Sequence, residues 1–236
     1  MGKRRPVLVL CSLLLGIALG CGLTPEPTAT PTAIPAPTAT PTATLEPTTA
    51  PAVASGPTAT PIPGWKKFEA RGIEIWLPGS YEGGDPSQDL DVIVERLRAL
   101  GPDFAQTAQA IEQNPSAFVL WAFDSHVGDS GLLTSVTVGT ERIPSAITIE
   151  VYLDMLAKQL PSQFRVVEQG IVPLDYYQAG RALIEFSIKG VNGKQVMYVI
   201  KEGNTIWAVN YTTSADEFDQ KLPTFEQSAR TFRMRP

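Results

Sequence analysis

Residues 65–236 of this 236-residue chain are predicted to form an α+β domain, an antiparallel sheet covered by helices on both faces in an α/β/α sandwich. Three observations lead there. Alternation of apolar and polar residues recurs in several short runs, which marks strands. Apolar residues at helical spacing lie between those runs. Some strands are apolar on both faces, as Trp207, Val209 and Tyr211 show opposite Ile206 and Ala208, and such a sheet needs cover on both sides.

The elements follow in order. Ile73, Ile75 and Leu77 point one way and Glu74 and Trp76 the other, giving a strand. Asp85-Pro86 reads as an N-cap followed by proline at the first helical position, so a helix is expected from there to about Leu100, ended by Gly101-Pro102. Phe104, Ala108 and Ile111 mark a short second helix that stops at Asn114-Pro115. Strands over Ala117–Asp124 and Leu132–Glu141 flank a loop, Ser125–Gly131. Ile149, Leu153, Leu156 and Leu160 mark a helix capped by Thr148.

Three alternating runs come next: Ala182 to Ile188, Val196 to Ile200, and Ile206 to Asn210. Turns at Asn192-Gly193 and Gly203-Asn204 would fold Gly180–Thr213 into a three-stranded meander. Phe218, Leu222, Phe225 and Ala229 mark a last helix, kinked near Pro223.

The first quarter of the chain is of another kind. Lys3-Arg4-Arg5 precedes an apolar run to Leu19, shorter than the roughly 20 residues a spanning helix needs, and this is the layout of a secretory signal. Ala18-Leu19-Gly20-Cys21 then resembles the bacterial lipobox, with the order of the large and small residues before Gly20 exchanged. That resemblance implies removal of residues 1–20 and a lipid on Cys21. Cys11, preceded by bulky Leu10 inside the run, fits the signal far worse. Residues 21–64 are then a linker, almost wholly Thr, Pro and Ala from Thr24 to Pro63. Proline removes backbone donors and fixes φ, and little apolar surface offsets the entropy of ordering, so a disordered, semi-rigid stalk is expected. At about 3.1 Å per residue it reaches at most roughly 120 Å. The expected location is the extracytoplasmic face of the cell membrane, with the membrane itself as one partner through Cys21.

Composition narrows the chemistry. The net charge is −5, and the basic residues outside the leader are scattered, so the basic stripe that captures nucleic acid is absent. Both cysteines, Cys11 and Cys21, lie in the leader, so residues 65–236 have no disulfide, thiol nucleophile or thiolate metal site. His126 is the single histidine.

The candidate sites are few. Gly128-Asp129-Ser130-Gly131 with nearby His126 superficially has the residues of a seryl nucleophile site, but both groups share one short loop and no separately supplied base is evident. Asp124, His126 and Asp129 make a sparse metal set. Asp85, Ser87, Asp89 and Asp91 have the alternate spacing of a calcium loop, with Leu90 where the turn glycine belongs and Arg96 where a bidentate carboxylate belongs. Neither a metal, a cofactor nor a catalytic residue is therefore expected. Trp76, Trp121 and Trp207 read as core, and Tyr176 and Tyr177, in a loop, as candidate exposed contacts.

Gly72-Ile73-Glu74-Ile75-Trp76-Leu77-Pro78-Gly79 resembles the opening of PsbP-like (Mog1/PsbP fold) domains. Ile206 to Tyr211, followed by Phe218, Phe225 and Ser228-Ala229-Arg230-Thr231-Phe232-Arg233, is similar to their closing pattern. The resemblance implies a non-enzymatic binding or assembly module with an envelope protein as partner. A carrier of a small apolar ligand held between sheet and helices is the alternative, and an envelope hydrolase a remote one.

Overall fold

The computed structural model describes residues 61–235, apart from Asp129 and Lys189. The leader, Cys11, Cys21 and the Thr/Pro/Ala stretch through Thr60 lie outside the described residues. Ten strands and four α-helices follow: β1 (Trp65–Ala70), β2 (Ile73–Pro78), β3 (Tyr81–Gly84), α1 (Leu90–Ala99), α2 (Ala105–Gln113), β4 (Leu120–Asp124), β5 (Ser135–Arg142), α3 (Ile149–Gln159), β6 (Phe164–Leu174), β7 (Tyr177–Ile188), β8 (Val191–Glu202), β9 (Thr205–Ser214), α4 (Ala215–Arg230) and β10 (Arg233–Met234). Seven strands form one antiparallel sheet in the order β3-β4-β5-β9-β8-β7-β6, and β1-β2-β10 form a second.

The large sheet is apolar on both faces and covered on both. Val138, Val196, Tyr198, Val209 and Tyr211 meet Phe218 and Phe225 of α4, together with Ile75 and Leu77 of the small sheet. Tyr211 stacks on Phe225 with centroids 5.2 Å apart. On the opposite face, Leu153 and Leu156 of α3 cover Ala182, Ile184 and Met197, while Ile93, Leu97 and Ile111 of α1 and α2 cover Trp121 and Phe123. A polar ladder crosses the sheet between these two patches. Thr212 Oγ1 donates to Gln195 Oε1 at 3.3 Å, and Gln195 Nε2 donates to Asn210 Oδ1 at 2.9 Å. Burial of these polar groups is tolerated because each finds a partner.

Three local readings of the sequence are corrected. The first helix begins at Leu90, not at Pro86. The Asp85 carboxylate closes a turn instead, accepting from Ser87 N at 2.9 Å and Ser87 Oγ at 2.8 Å, and it receives Arg71 Nε at 3.0 Å. Asn192-Gly193 is not a turn, because Asn192 opposes Ser187 and Gly193 opposes Phe186 within the β7–β8 ladder. The hairpin reverses between Ile188 and Val191, where Gly190 has φ +86°. Gly193 serves packing: the Phe186 ring lies where a Cβ would stand. Gly203-Asn204 does turn, with Gly203 at φ +57°. The expected three-stranded meander is four strands long, since β6 precedes it. Most β6 positions are exposed, so the strand lacks the alternation that marks its neighbours.

Candidate functional site

The sheet has two ends. At one, Gly79 N donates to Gly64 O at 2.9 Å, and Ser125 N donates to Ser80 O at 3.1 Å. The chain therefore joins the domain beside the loop after β4. At the other end, the turn between β6 and β7 meets β10 and the turn at Gly72, with Met234 N donating to the Tyr177 hydroxyl at 3.1 Å. The six residues of β1 run from one end to the other and separate them by roughly 20 Å at the rise of an extended strand.

At the joining end, Asp124 is buried and its carboxylate is fully engaged. Oδ1 accepts from His126 N at 3.1 Å and lies 3.2 Å from His126 Nδ1, while Oδ2 accepts from Lys221 Nζ at 3.1 Å. Burial pushes the acid up, but the His126 amide and the Lys221 ammonium more than offset it and hold the group below the ordinary carboxylate value. Thr134 and Thr213 hydroxyls are 2.7 Å apart, and Thr213 Oγ1 donates to Glu217 Oε2 at 3.3 Å. The Glu217 carboxylate also packs so closely on Gly128 that a Cβ there has no room. Three ties thus clamp the loop to α4.

This arrangement positions a loop and assembles no reaction centre. Ser130 Oγ accepts from Leu132 N at 3.2 Å, the geometry of a hydroxyl turn, and among the described residues no hydrogen bond joins Ser130 to His126. Asp124 and His126 of the metal candidate come together, whereas Asp129 lies outside the described residues. In the calcium-like run, Asp89 Oδ2 accepts from Asp85 N at 3.0 Å, Asp85 holds Arg71 and Ser87, and Asp91 sits in the first turn of α1. Nearby on the sheet, a groove of about 380 Å³ is lined by Arg165, Glu185, Lys194 and Ala215. Glu185 lies 2.7 Å from Arg165 and 3.7 Å from Lys194, so its charges are already paired.

The far end differs. Tyr176 is 49% exposed in the β6–β7 turn, whereas Tyr177 opens β7 half-buried, its ring 6.3 Å from that of Phe232. Arg233 places its guanidinium 3.6 Å from the Tyr176 ring centroid. Arg233 is itself buried, and Nη1 donates at 2.7 Å to the carbonyls of Arg230 and Phe232 at the end of α4. A cation there suits the negative end of the helix dipole. The exposed ring is thus held by a residue fixed from below, a role nothing in the sequence around Arg233 announced. Trp121 is buried against Phe123, while Trp207 is half-buried against Phe232. Trp76 is also half-buried; its backbone N–H donates to Thr231 Oγ1 at 2.9 Å, and its carbonyl accepts from Ser228 Oγ at 2.8 Å.

No family model and no curated protein matches the chain. Solved structures do. One is the solution structure of cyanobacterial PsbP (CyanoP) from Synechocystis sp. PCC 6803, at 11% identity and a TM-score of 0.46, covering 77% of this chain and 98% of that one. Another is LpqN, involved in cell envelope biogenesis of Mycobacterium tuberculosis, at 13% and 0.46, covering 70% and 83%. A mutant of the protein Mog1 matches at 14% and 0.37, covering 71% and 87%. All three scores lie below 0.5, so the reading of function rests on this chain's own residues.

Proposed function

We propose that this chain is a non-enzymatic binding or assembly module, displayed outside the cytoplasmic membrane on its Thr/Pro/Ala stalk and held there by lipid on Cys21. The observation that carries the reading is the polarity of the domain. The tether joins at the end where the loop after β4 is clamped to α4, and the braced, exposed Tyr176 lies at the opposite end, away from the tether. An aromatic ring held in place loses little conformational freedom on contact, which suits it to a protein partner. At the tethered end Asp124 is spent on Lys221 and the Thr134, Thr213 and Glu217 side chains on one another, which supports binding over catalysis. Among the described residues no helix is long and apolar enough to cross a membrane; in this reading attachment belongs to the leader and its cysteine.

The test is photocrosslinking in cells from position 176, beside a Cys21→Ser strain. One envelope protein captured from position 176, and lost when Cys21→Ser releases the chain from the membrane fraction, supports the reading. Membrane retention and mass unchanged by Cys21→Ser would remove the lipid anchor from it. Absence of any captured protein from position 176 would remove the partner.

A further inference from the structure

Four of the large apolar side chains that stay exposed lie along one edge of the molecule. Val151 (44% exposed) and Met155 (41%) belong to α3, and Val167 (39%) and Ile171 (38%) to β6. Asp154 and Gln169 fall between the members of each pair, and Gln169 Nε2 donates to Asp154 Oδ1 at 2.8 Å, tying the two elements together amid the apolar groups. β6 is the last strand of the large sheet, so its outer backbone edge has no partner among the described residues. Long edges are usually blunted by bulges, prolines or charge. Here the bulge lies at Val167, which β7 leaves unpaired, and the proline is at 173, so the regular stretch Glu168–Val172 lies between them, largely exposed, with Val167 at its border.

We propose that this edge is a two-fold contact between copies of the chain, with β6 pairing antiparallel to its counterpart around Gln169. The register argues for a second copy rather than another protein. Centred on Gln169, Val167 faces the partner's Ile171, and Glu168 faces the partner's Gly170. Centred one residue earlier, Glu168 would face its own copy, and like charges directly opposed are unfavourable. Centred one residue later, Val167 would face proline and Ile171 would face glutamine. Only the first of these registers sets apolar against apolar with no like charges opposed. Glu168 is already held by Arg181 at 2.7 Å, so its charge is compensated when the edge closes. Five opposed residues are few for an interface of roughly 800 Å² per partner, and Val151 and Met155 extend the apolar strip beyond the strand.

Cysteine crosslinking of the full-length chain in whole cells tests this. The proposal does not depend on how the chain is anchored, so both Cys11→Ser and Cys11→Ser/Cys21→Ser backgrounds apply. Directly opposed residues of an antiparallel pair have Cα atoms about 4.5–5.5 Å apart, within the range a disulfide spans. Gln169→Cys is expected to yield a disulfide-linked dimer on oxidation, several-fold above Gln109→Cys on α2, and adding Ile171→Lys or Val167→Lys is expected to abolish it. Equal crosslinking from both positions, no dimer from Gln169→Cys, or a dimer that survives both lysine variants overturns the proposal. Ile171 and Val167 are exposed, and a thermal transition unchanged in the lysine variants shows that lost crosslinking is not lost folding.

Discussion

Replacing Asp124 with alanine tests whether the clamp between the β4 loop and α4 is a structural ion pair. The carboxylate receives the His126 amide and the Lys221 ammonium, each near 3.1 Å. Hydrogen bonds to a charged group are worth about 1.5–3 kcal/mol each. Lys221 keeps 26% of its side chain exposed, so its ammonium rehydrates once freed, and a buried charge is not left stranded. The lower end applies, about 3 kcal/mol in total at neutral pH, or about 6–12 °C in Tm for a domain of this size. The pH dependence has a definite sign. The folded-state acid lies below its ordinary value, so its contribution is complete above about pH 4 and is lost as pH falls through the folded pKa. Urea unfolding followed by tryptophan fluorescence, for the wild type and the variant from pH 7 down to pH 2, measures both quantities. A difference under about 0.5 kcal/mol at pH 7, or one that persists undiminished at the lowest pH, refutes the clamp.

Other outcomes are equally open to measurement. Gly83 has φ +131°, and a Cβ added there would collide with the Trp121 carbonyl oxygen and stand 2.7 Å from the Ala122 α-carbon, so Gly83→Ala is expected to cost about 3 kcal/mol or more in the same unfolding assay. Gly203→Ala, with φ +57° and open space around it, is expected to cost only about 1 kcal/mol. Arg233→Ala leaves two helix-end carbonyls short of a donor and is expected to lose about 2–3 kcal/mol. Tyr176→Ala removes an exposed ring over the cation and is expected to cost no more than about 1 kcal/mol, while abolishing co-purification of the envelope partner with the chain.

Where an element buries one regular face, its residues announce it. Phe218 and Phe225 mark α4, Leu153 and Leu156 mark α3, and Val196 to Ile200, buried throughout, marks a central strand covered on both faces. β6 was illegible because an exposed edge strand needs no apolar face. Gly193 misled because glycine after asparagine makes a turn as readily as it makes room for a ring, and only the opposing Phe186 distinguishes the two uses. Asp85 misled in a similar way, since a carboxylate that caps a helix equally well closes a turn, and Arg71 recruits it to the second role. At the sites, the proximity of His126 to Asp124 was readable along the loop. Lys221, 97 residues away, was not, and its arrival is what turns an apparent metal pair into an ion pair. Arg233 gave no signal because it is fixed by backbone carbonyls, which every sequence has.

The same helix serves both ends of the domain. Near its N-terminus, α4 holds the loop at the tethered end through Glu217 and Lys221. At its C-terminus, the carbonyls of Arg230 and Phe232 hold Arg233, which in turn braces Tyr176. Between them Phe218 and Phe225 are buried against the large sheet, so the helix is located by its packed middle and not by either end. Loosening the clamp at Lys221 therefore lowers stability without releasing the ring at the far end, because the packing of Phe225 and Phe232 lies between the two and remains intact. In the proposed module, this separation puts the junction with the stalk and the braced ring at different ends of one helix whose middle is packed on the large sheet.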